Sequence, residues 1–169
     1  MPNILYNLQD SRVPKNMCEE DIMHVIDAGL YLNSPYPPML GRKRGIDLII
    51  SFDFSSGDPF ETVDVASRYA KTCKVPFPKI NLEGTDDDCP KSLHIFEEKG
   101  KPTVIHIPLF NVDNCKDREG VKRERKEYAT FQRPYRGMEK INHLADLAGQ
   151  NVKVNKEAIL KEIRKVARN

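Results

Sequence analysis

An aspartate at the end of a short apolar run, Asp27, is the residue best placed for chemistry. Residues 22–27, Ile-Met-His-Val-Ile-Asp, predict a strand, and Ala28 and Gly29 after it predict a tight turn. Folds of the α/β class place functional groups beyond the carboxyl ends of strands. Its two small neighbours, Ala28 and Gly29, leave room for another group to approach the carboxylate closely. The spacing fits a structural role as well, in which Asp27 caps the turn that follows it.

Other motifs for catalysis or metal binding are absent from the sequence. No serine lies in a G-x-S-x-G motif, and neither glycine-rich phosphate loop nor the H-E-x-x-H pattern occurs. Residues 86–88 are three aspartates without the spacing of a calcium loop. Four dispersed histidines predict structural roles: His24, His94, His106 and His143. We therefore assign no metal and no cofactor.

The four cysteines predict reduced thiols. They are Cys18, Cys73, Cys89 and Cys115, widely separated and without a C-x-x-C pair. Such spacing is not that of a zinc or redox motif. It agrees with a reducing, cytoplasmic setting.

The clearest strand and helix follow one another after a proline-rich loop at residues 33–44. The near-continuous apolar middle of residues 47–54 predicts a strand covered on both faces. Residues 58–61, Asp-Pro-Phe-Glu, then supply a capping acid, a proline and a glutamate that predict a helix start. The apolar spacing predicts that this helix faces the sheet as far as Cys73, and Pro76 prevents its continuation.

The next two strands are predicted to form a hairpin. Residues 93–96 and 103–110 flank a turn at Gly100. Pro102 and Pro108 predict an edge position for the second of these strands. Together with the earlier strand they predict a mixed sheet.

The rest of the chain predicts helices. A charge-dense helix is expected over residues 119–130, a second over 138–148 that ends at Gly149, and a third over 155–168.

Length and composition predict one globular domain. The chain has 169 residues, 39% hydrophobic and 31% charged, which suits a single domain or a segment of a larger one. Its longest aliphatic run, 48–50, is far below the roughly 20 residues of a membrane-spanning helix. No secretory signal is visible at the start, so we expect a cytoplasmic protein.

Residues 1–115 carry a net charge of −5 and residues 116–169 a net charge of +7. A basic end can favour anionic membrane surfaces, although solvated helix faces are its commoner cause.

Several segments resemble one enzyme family. They are Ile26-Asp27-Ala28-Gly29-Leu30, Asn33-Ser34-Pro35-Tyr36-Pro37, residues 47–55, Pro76-Phe77-Pro78 and residues 102–111. In these segments the chain resembles the C-terminal part of the catalytic domain of the cytosolic (group IV) phospholipases A2. Residues 56–61 and 108–113 look most like the gamma type. The resemblance covers nearly the whole chain and weakens after about Asp117.

The resemblance implies a patatin-like, three-layer α/β hydrolase architecture of which residues 1–169 form one incomplete domain. It implies hydrolysis of fatty acyl esters of glycerophospholipids and lysophospholipids by a serine–aspartate dyad. Asp27 matches the dyad acid, which takes the proton of the serine hydroxyl as that hydroxyl attacks the ester. Ala28 and Gly29 would form the close-approach turn.

Residues 1–169 lack several catalytic elements of the family that they resemble. The family's nucleophilic serine, glycine-rich oxyanion loop and arginine near the phosphate all match positions before Met1. We therefore expect a fragment that is inactive by itself, since a lone base has no nucleophile to activate. Resemblance to the gamma type implies a C-terminal prenylation signal, whereas residues 166–169, Val-Ala-Arg-Asn, are not a C-a-a-X box. Calcium dependence is not decided by these residues.

The sequence leaves two alternatives to an enzyme part. One is a non-catalytic, truncated family member that binds phospholipid surfaces, with peripheral membrane contact through the basic helices. The other is nucleic-acid binding through residues 122–126 with Tyr128, Phe131 and Tyr135. Glutamates among those basic residues favour an exposed, self-paired helix, so we expect no nucleic-acid partner.

Overall fold

The computed structural model describes residues 1–41, 44–129 and 137–168. Their contacts form two compact units, Met1–Tyr31 and Leu32–Asn169. The first unit consists of loops with two short 3-10 helices, Lys15–Met17 and Ala28–Leu30. In its core Cys18 is 8% exposed.

The predicted strand at residues 22–27 is wrong. Ile22 forms one isolated antiparallel bridge with Pro2, and residues 23–27 belong to no strand. Hydrogen bonds join residues 1–3 to residues 21–23, but the described part of this unit contains no strand that pairs with residues 24–27. A strand needs such a neighbour to satisfy its backbone groups, so apolar content alone was insufficient.

The second unit contains a mixed three-stranded sheet, as predicted. Its strands are β1 (Leu48–Asp53), β2 (His94–Phe96) and β3 (Thr103–Pro108), in the order β1-β3-β2. β1 runs parallel to β3, and β2 pairs antiparallel with β3 as the expected hairpin. β3 is central rather than at an edge. Its two prolines lie just before the strand and at its last residue, where neither interrupts the ladder.

Helices cover both faces of this sheet. Helix α1 (Glu61–Cys73) packs on one face, and helix α4 (Met138–Val166) packs on the other. The core between α1 and the sheet contains these residues: Phe60, Val63, Ala66, Ala70, Val104 and Ile49. The core between α4 and the sheet contains these residues: Ile105, Ile107, Ile159, Leu48, Ile50 and Leu93. The second unit is thus three layers deep, and β1 contributes apolar side chains to both cores as predicted.

Helix α1 begins slightly later than its sequence signal. The Asp58 Oδ1 atom accepts a hydrogen bond from the Phe60 N–H at 2.8 Å, and the helix starts at Glu61. It ends at Cys73, where Lys74 adopts a left-handed conformation with φ 53°. The proline that follows at 76 agrees with the predicted stop.

Three helices of the described residues follow β3. They are α2 (Val112–Cys115), which the sequence did not predict, α3 (Arg118–Glu127) and α4. The predicted end of α3 at Thr130 lies outside the described residues. The predicted break at Gly149 is wrong, because α4 is a single helix of 29 residues. Its buried positions continue past the glycine at helical spacing: Leu147, Asn151, Asn155 and Ile159. Their packing outweighs the roughly 1 kcal/mol that a glycine costs in a helix.

Asparagines fasten α4 to the carboxyl end of β3. Asn151, 1% exposed, accepts hydrogen bonds at its Oδ1 from the Nδ2 groups of Asn111 (2.8 Å) and Asn114 (3.1 Å). Its own Nδ2 donates to the carbonyls of Pro108 (3.1 Å) and Leu109 (3.0 Å). Every polar atom of the Asn151 side chain is therefore satisfied inside the core.

Two further findings concern the described residues as a whole. None of their helices is both long enough and apolar enough to span a bilayer. All four cysteines are free thiols, two of them buried.

Candidate functional site

Asp27 caps the short 3-10 helix Ala28–Leu30. Its Oδ1 accepts a hydrogen bond from the Gly29 N–H at 2.8 Å, and its carbonyl accepts one from the Leu30 N–H at 3.1 Å. No donor within the described residues binds the other carboxylate oxygen, Oδ2. The side chain is exposed, as are Ala28 and Gly29. The capping role that the sequence allowed is formed, and Oδ2 is open to a second partner in this part of the chain.

The residues flanking Asp27 are apolar and turned outward. Val25 is 70% exposed, Ile26 81%, Leu30 76% and Tyr31 70%. Isolated exposed apolar residues are ordinary, but four within seven positions form a patch of the kind that marks a contact with protein or lipid. The carboxylate of Asp27 thus lies within an exposed apolar segment.

A second polar cluster, which the sequence did not reveal, lies at the carboxyl end of β1. The Asp53 Oδ1 atom accepts hydrogen bonds from the Ser55 hydroxyl (2.5 Å) and the Ser55 N–H (2.9 Å). The Asn33 Nδ2 group donates to the Ser55 hydroxyl oxygen at 2.6 Å. Because Ser55 both donates and accepts, its hydroxyl is held in one orientation. The chemical effect is positional, since the cluster fixes the loop at Asn33 against the end of β1.

His106 lies behind this cluster in the core and is fully buried. Its Nε2–H donates to the Pro59 carbonyl at 2.6 Å, and the same nitrogen is 3.9 Å from the Asp53 Oδ2 atom. Burial lowers the pKa of His106 despite the raising effects of that bond and of Asp53. The ring is therefore neutral at pH 7, and its proximity to Asp53 is not an ion pair.

Acidification is expected to destabilise the second unit through His94, which is half-buried. Burial, followed by the charge effect of His106, lowers the pKa of His94 to about 4. An unfolded histidine titrates near 6.5, so below that pH the unfolded chain takes up protons that the folded chain refuses. This contribution to stability is complete above about pH 6.5 and falls as the pH drops toward 4. His94→Gln should flatten the fall in thermal midpoint between pH 7 and pH 5.

The matched control for that measurement is His24→Gln, which replaces an exposed histidine. It should leave the dependence of the thermal midpoint on pH unchanged. Equal slopes for His94→Gln and the unmodified chain would contradict burial as the source of the effect.

Two arginines of helix α3 bind the acidic turn at residues 86–88. Arg118 forms ion pairs with Asp86 and with Asp88, the latter at 2.9 Å. Arg125 donates to the Asp87 carbonyl at 2.8 Å. The described residues include no group of three or more histidines, cysteines or carboxylates suited to a metal ion.

The basic stretch at 122–126 is partly internal. Glu124 is 9% exposed and accepts a hydrogen bond from the His143 Nε2–H at 3.1 Å. Tyr128 is 4% exposed, and its hydroxyl donates to the Lys140 carbonyl. Its ring is therefore not available to stack on a base. The two other aromatic residues weighed with this stretch, Phe131 and Tyr135, lie outside the described residues.

Three curated proteins similar to this chain are cytosolic phospholipases A2. Mouse cytosolic phospholipase A2 gamma is 37% identical over 158 residues, which cover 92% of this chain and 26% of the mouse protein. The human gamma protein is 37% identical over 168 residues, covering 98% of this chain and 30% of that protein. Mouse cytosolic phospholipase A2 zeta is 37% identical over 95 residues. No family model matches the chain. The chain thus spans less than a third of the length of the gamma relatives.

Solved structures show the same fold. Human GIVD cytosolic phospholipase A2 superposes with a TM-score of 0.72 at 25% identity, covering 85% of this chain and 21% of that one. The same enzyme in complex with methyl gamma-linolenyl fluorophosphonate gives a TM-score of 0.69 at 24% identity.

The three-layer arrangement and these superpositions define a segment of a patatin-like α/β catalytic domain. With 37% identity along nearly its whole length to the gamma proteins, the chain belongs to the cytosolic phospholipase A2 family. The resemblance of its sequence segments is confirmed.

Proposed function

We propose that residues 1–169 form the C-terminal segment of a cytoplasmic phospholipase A2 that hydrolyses fatty acyl esters of glycerophospholipids and lysophospholipids. The observation that carries this proposal is the 37% identity to the gamma proteins over 92% and 98% of the chain. The exposed Asp27 carboxylate, with one oxygen uncommitted in the described residues, supports it.

Asp27 would act as the general base of a serine–aspartate dyad. Its Oδ2 atom would accept the proton of a serine hydroxyl as the serine oxygen bonds to the ester carbonyl carbon. Asp27 would then give this proton to the departing oxygen of the lipid, which leaves as an alcohol. In the second half of the reaction it would take a proton from the water that attacks the acyl-enzyme, and it would return that proton to the serine oxygen as the fatty acid is released. The Gly29 N–H, bound to Oδ1, would hold the carboxylate in one rotamer throughout. Ala28 and Gly29 present no bulk beside it.

The apolar segment around Asp27 supports contact with lipid. Val25, Ile26, Leu30 and Tyr31 are each at least 70% exposed. Their apolar surface is compatible with acyl chains or with another part of the enzyme. Peripheral contact with a membrane would bring these side chains to the phospholipid.

A chimera tests the proposed function directly. Residues 1–169 replace the matched segment of mouse cytosolic phospholipase A2 gamma, and fatty acid release from phosphatidylcholine and lysophosphatidylcholine vesicles is measured. We expect hydrolysis by the chimera and none by residues 1–169 alone, because the separate chain supplies a base without a nucleophile. A folded chimera that binds the vesicles without hydrolysing either lipid would instead support the non-catalytic, lipid-binding alternative.

A further inference from the structure

Four segments of the second unit meet at the amino end of its parallel strands. β1 and β3 run in the same direction, and the Thr103 N–H donates to the Asp47 carbonyl at 2.8 Å where the two strands begin. A hollow of about 510 Å³ at this end has a lining residue from each segment: Gly45, Pro76, Lys101 and Val166. We call these four segments the basic end; they are residues 44–47, 71–79, 97–103 and 161–168.

The basic end has a large excess of positive charge. It contains ten basic and four acidic residues, a net charge of +6, whereas the net charge of the whole chain is +2. All ten basic residues are exposed: Arg44, Lys71, Lys74, Lys79, Lys99, Lys101, Lys161, Arg164, Lys165 and Arg168.

The acidic residues of the basic end neutralise only some of this charge. Glu98 pairs with Lys101 at 2.7 Å, and Glu97 pairs with Lys165 at 2.5 Å. Glu162 is buried, at 5% exposed. Exposed basic residues such as Lys99, Lys161 and Arg164 form no ion pair with another described residue. Their charge is therefore available to an external partner.

Helix ends explain only part of the excess. The dipole of a helix stabilises basic residues in its last turn, which accounts for residues such as Lys71 in α1 and Arg164 in α4. Arg44, Lys79 and Lys99 lie outside the helices and strands. The positive charge is thus a property of the whole surface.

The opposite end of the sheet has the reverse charge. Residues 54–60 follow β1, residues 86–93 precede β2 and residues 109–117 follow β3. They contain six acidic and two basic residues, a net charge of −4, and Arg118 pairs with two of the acids. The second unit is therefore polarised along its strands. Its field turns the basic end toward a negatively charged surface and the acidic end away from it.

The basic end also offers apolar surface. The walls of its hollow include Met39, Leu40, Pro76 and Val166, and Met39 is 39% exposed. Lysine and arginine extend apolar stems along such surface while their charged groups stay in water. Charge and apolar surface together suit the boundary between phospholipid head groups and acyl chains. Nucleic acid fits less well, because the only aromatic residue of the four segments, Phe77, is 5% exposed and cannot stack on a base.

We propose that the basic end of the second unit binds membranes that contain anionic phospholipids such as phosphatidylserine. The lipid head groups supply the negative charge that the exposed lysines and arginines lack within the chain. The inference rests on the charge and contacts of the second unit, and it does not depend on the proposed hydrolysis or on Asp27.

Co-sedimentation of residues 1–169 with vesicles tests the inference. We expect binding to vesicles of equal parts phosphatidylserine and phosphatidylcholine, and at least about tenfold weaker binding to phosphatidylcholine alone. Raising the salt from about 0.1 M to about 1 M shortens the Debye length from about 10 Å to about 3 Å and should release the protein.

A variant that combines Lys99→Gln, Lys161→Gln and Arg164→Gln should bind the anionic vesicles roughly 100-fold more weakly, because each basic residue near an anionic leaflet contributes about fivefold. These residues are exposed, so the thermal midpoint of the variant should stay close to that of the unmodified chain.

The matched control combines Lys122→Gln, Lys126→Gln and Lys153→Gln. It removes the same net charge from exposed positions outside the basic end. We expect its binding to the anionic vesicles to stay within about threefold of that of the unmodified chain, since charges beyond a Debye length are screened.

Three results would overturn the inference. Equal losses of binding in the two triple variants would mean that net charge, rather than this surface, decides binding. Equal binding to vesicles with and without phosphatidylserine would remove the role of charge. Displacement of the protein from the vesicles by double-stranded RNA, at a lower phosphate concentration than the vesicles themselves require, would identify nucleic acid as the partner.

These outcomes are separate from the proposed function, because lipid hydrolysis is not the readout. Binding to anionic vesicles that the first triple variant loses, together with an inactive chimera, would support the inference and oppose the proposed function. An active chimera together with equal binding to both kinds of vesicle would do the reverse.

Discussion

Replacing Asp27 with asparagine in the gamma chimera is expected to lower phospholipid hydrolysis roughly 10²- to 10⁴-fold, the range for loss of a general base. Asparagine has nearly the same shape, and its side-chain oxygen can still accept the Gly29 N–H. It cannot accept a proton from a serine hydroxyl near neutral pH. The measurement is initial velocity on vesicles, with the thermal midpoint recorded for the same preparation.

Asp21→Asn is the matched control for this prediction. Asp21 is also exposed and lies in the same unit, and its backbone carbonyl rather than its side chain binds Asn3. We expect the Asp21→Asn chimera to hydrolyse phospholipids at the rate of the unsubstituted chimera. If Asp27→Asn kept the activity of the control while remaining folded, Asp27 would be only the cap of the turn that follows it.

Replacing Asn151 with leucine is expected to lower the free energy of unfolding of residues 1–169 by about 2–4 kcal/mol, since breaking a buried network leaves polar groups without partners. The substitution removes the acceptor of two asparagine side chains and the donor to two carbonyls at the end of β3. Urea denaturation should show an earlier midpoint with an unchanged slope.

The comparison variant is Asn142→Leu. Asn142 lies on the same helix, α4, but is exposed. Its replacement should change the free energy of unfolding by no more than about 0.5 kcal/mol. Similar losses for both variants would mean that the helix, rather than the buried network, is sensitive to leucine.

Sequence reasoning worked where local pattern and tertiary packing agree. The apolar run at 47–54 marks β1 because the strand contributes apolar side chains to the cores on both faces of the sheet, and the sequence around Asp58 marks the start of α1. It failed where tertiary contacts, rather than local sequence, decide the secondary structure. The apolar residues 22–27 lack a partner strand, and Gly149 lies within a helix whose buried face continues on both sides of it.

In the candidate site, too, local features were predictable from the sequence and long-range contacts were not. A turn after Asp27 was predictable from Ala28 and Gly29, which immediately follow it. The contact of Asn33 with Ser55 was not, because 22 positions separate them and only the folded chain brings them together. One signal was present nonetheless: Asp53 and Ser55 end an apolar strand, the same criterion that singled out Asp27.

The register of β1 with β3 bears on how the chain folds during synthesis. Every residue of β1 pairs with the residue 55 positions later, beginning with Leu48 and Thr103. At roughly 5–20 residues per second, the ribosome needs about 3 to 11 s to deliver β3 after β1. Both long sides of β1 are without a partner during that interval, although α1 is already made. The nascent chain should therefore be most prone to aggregation, and most dependent on chaperones, between the emergence of these two strands.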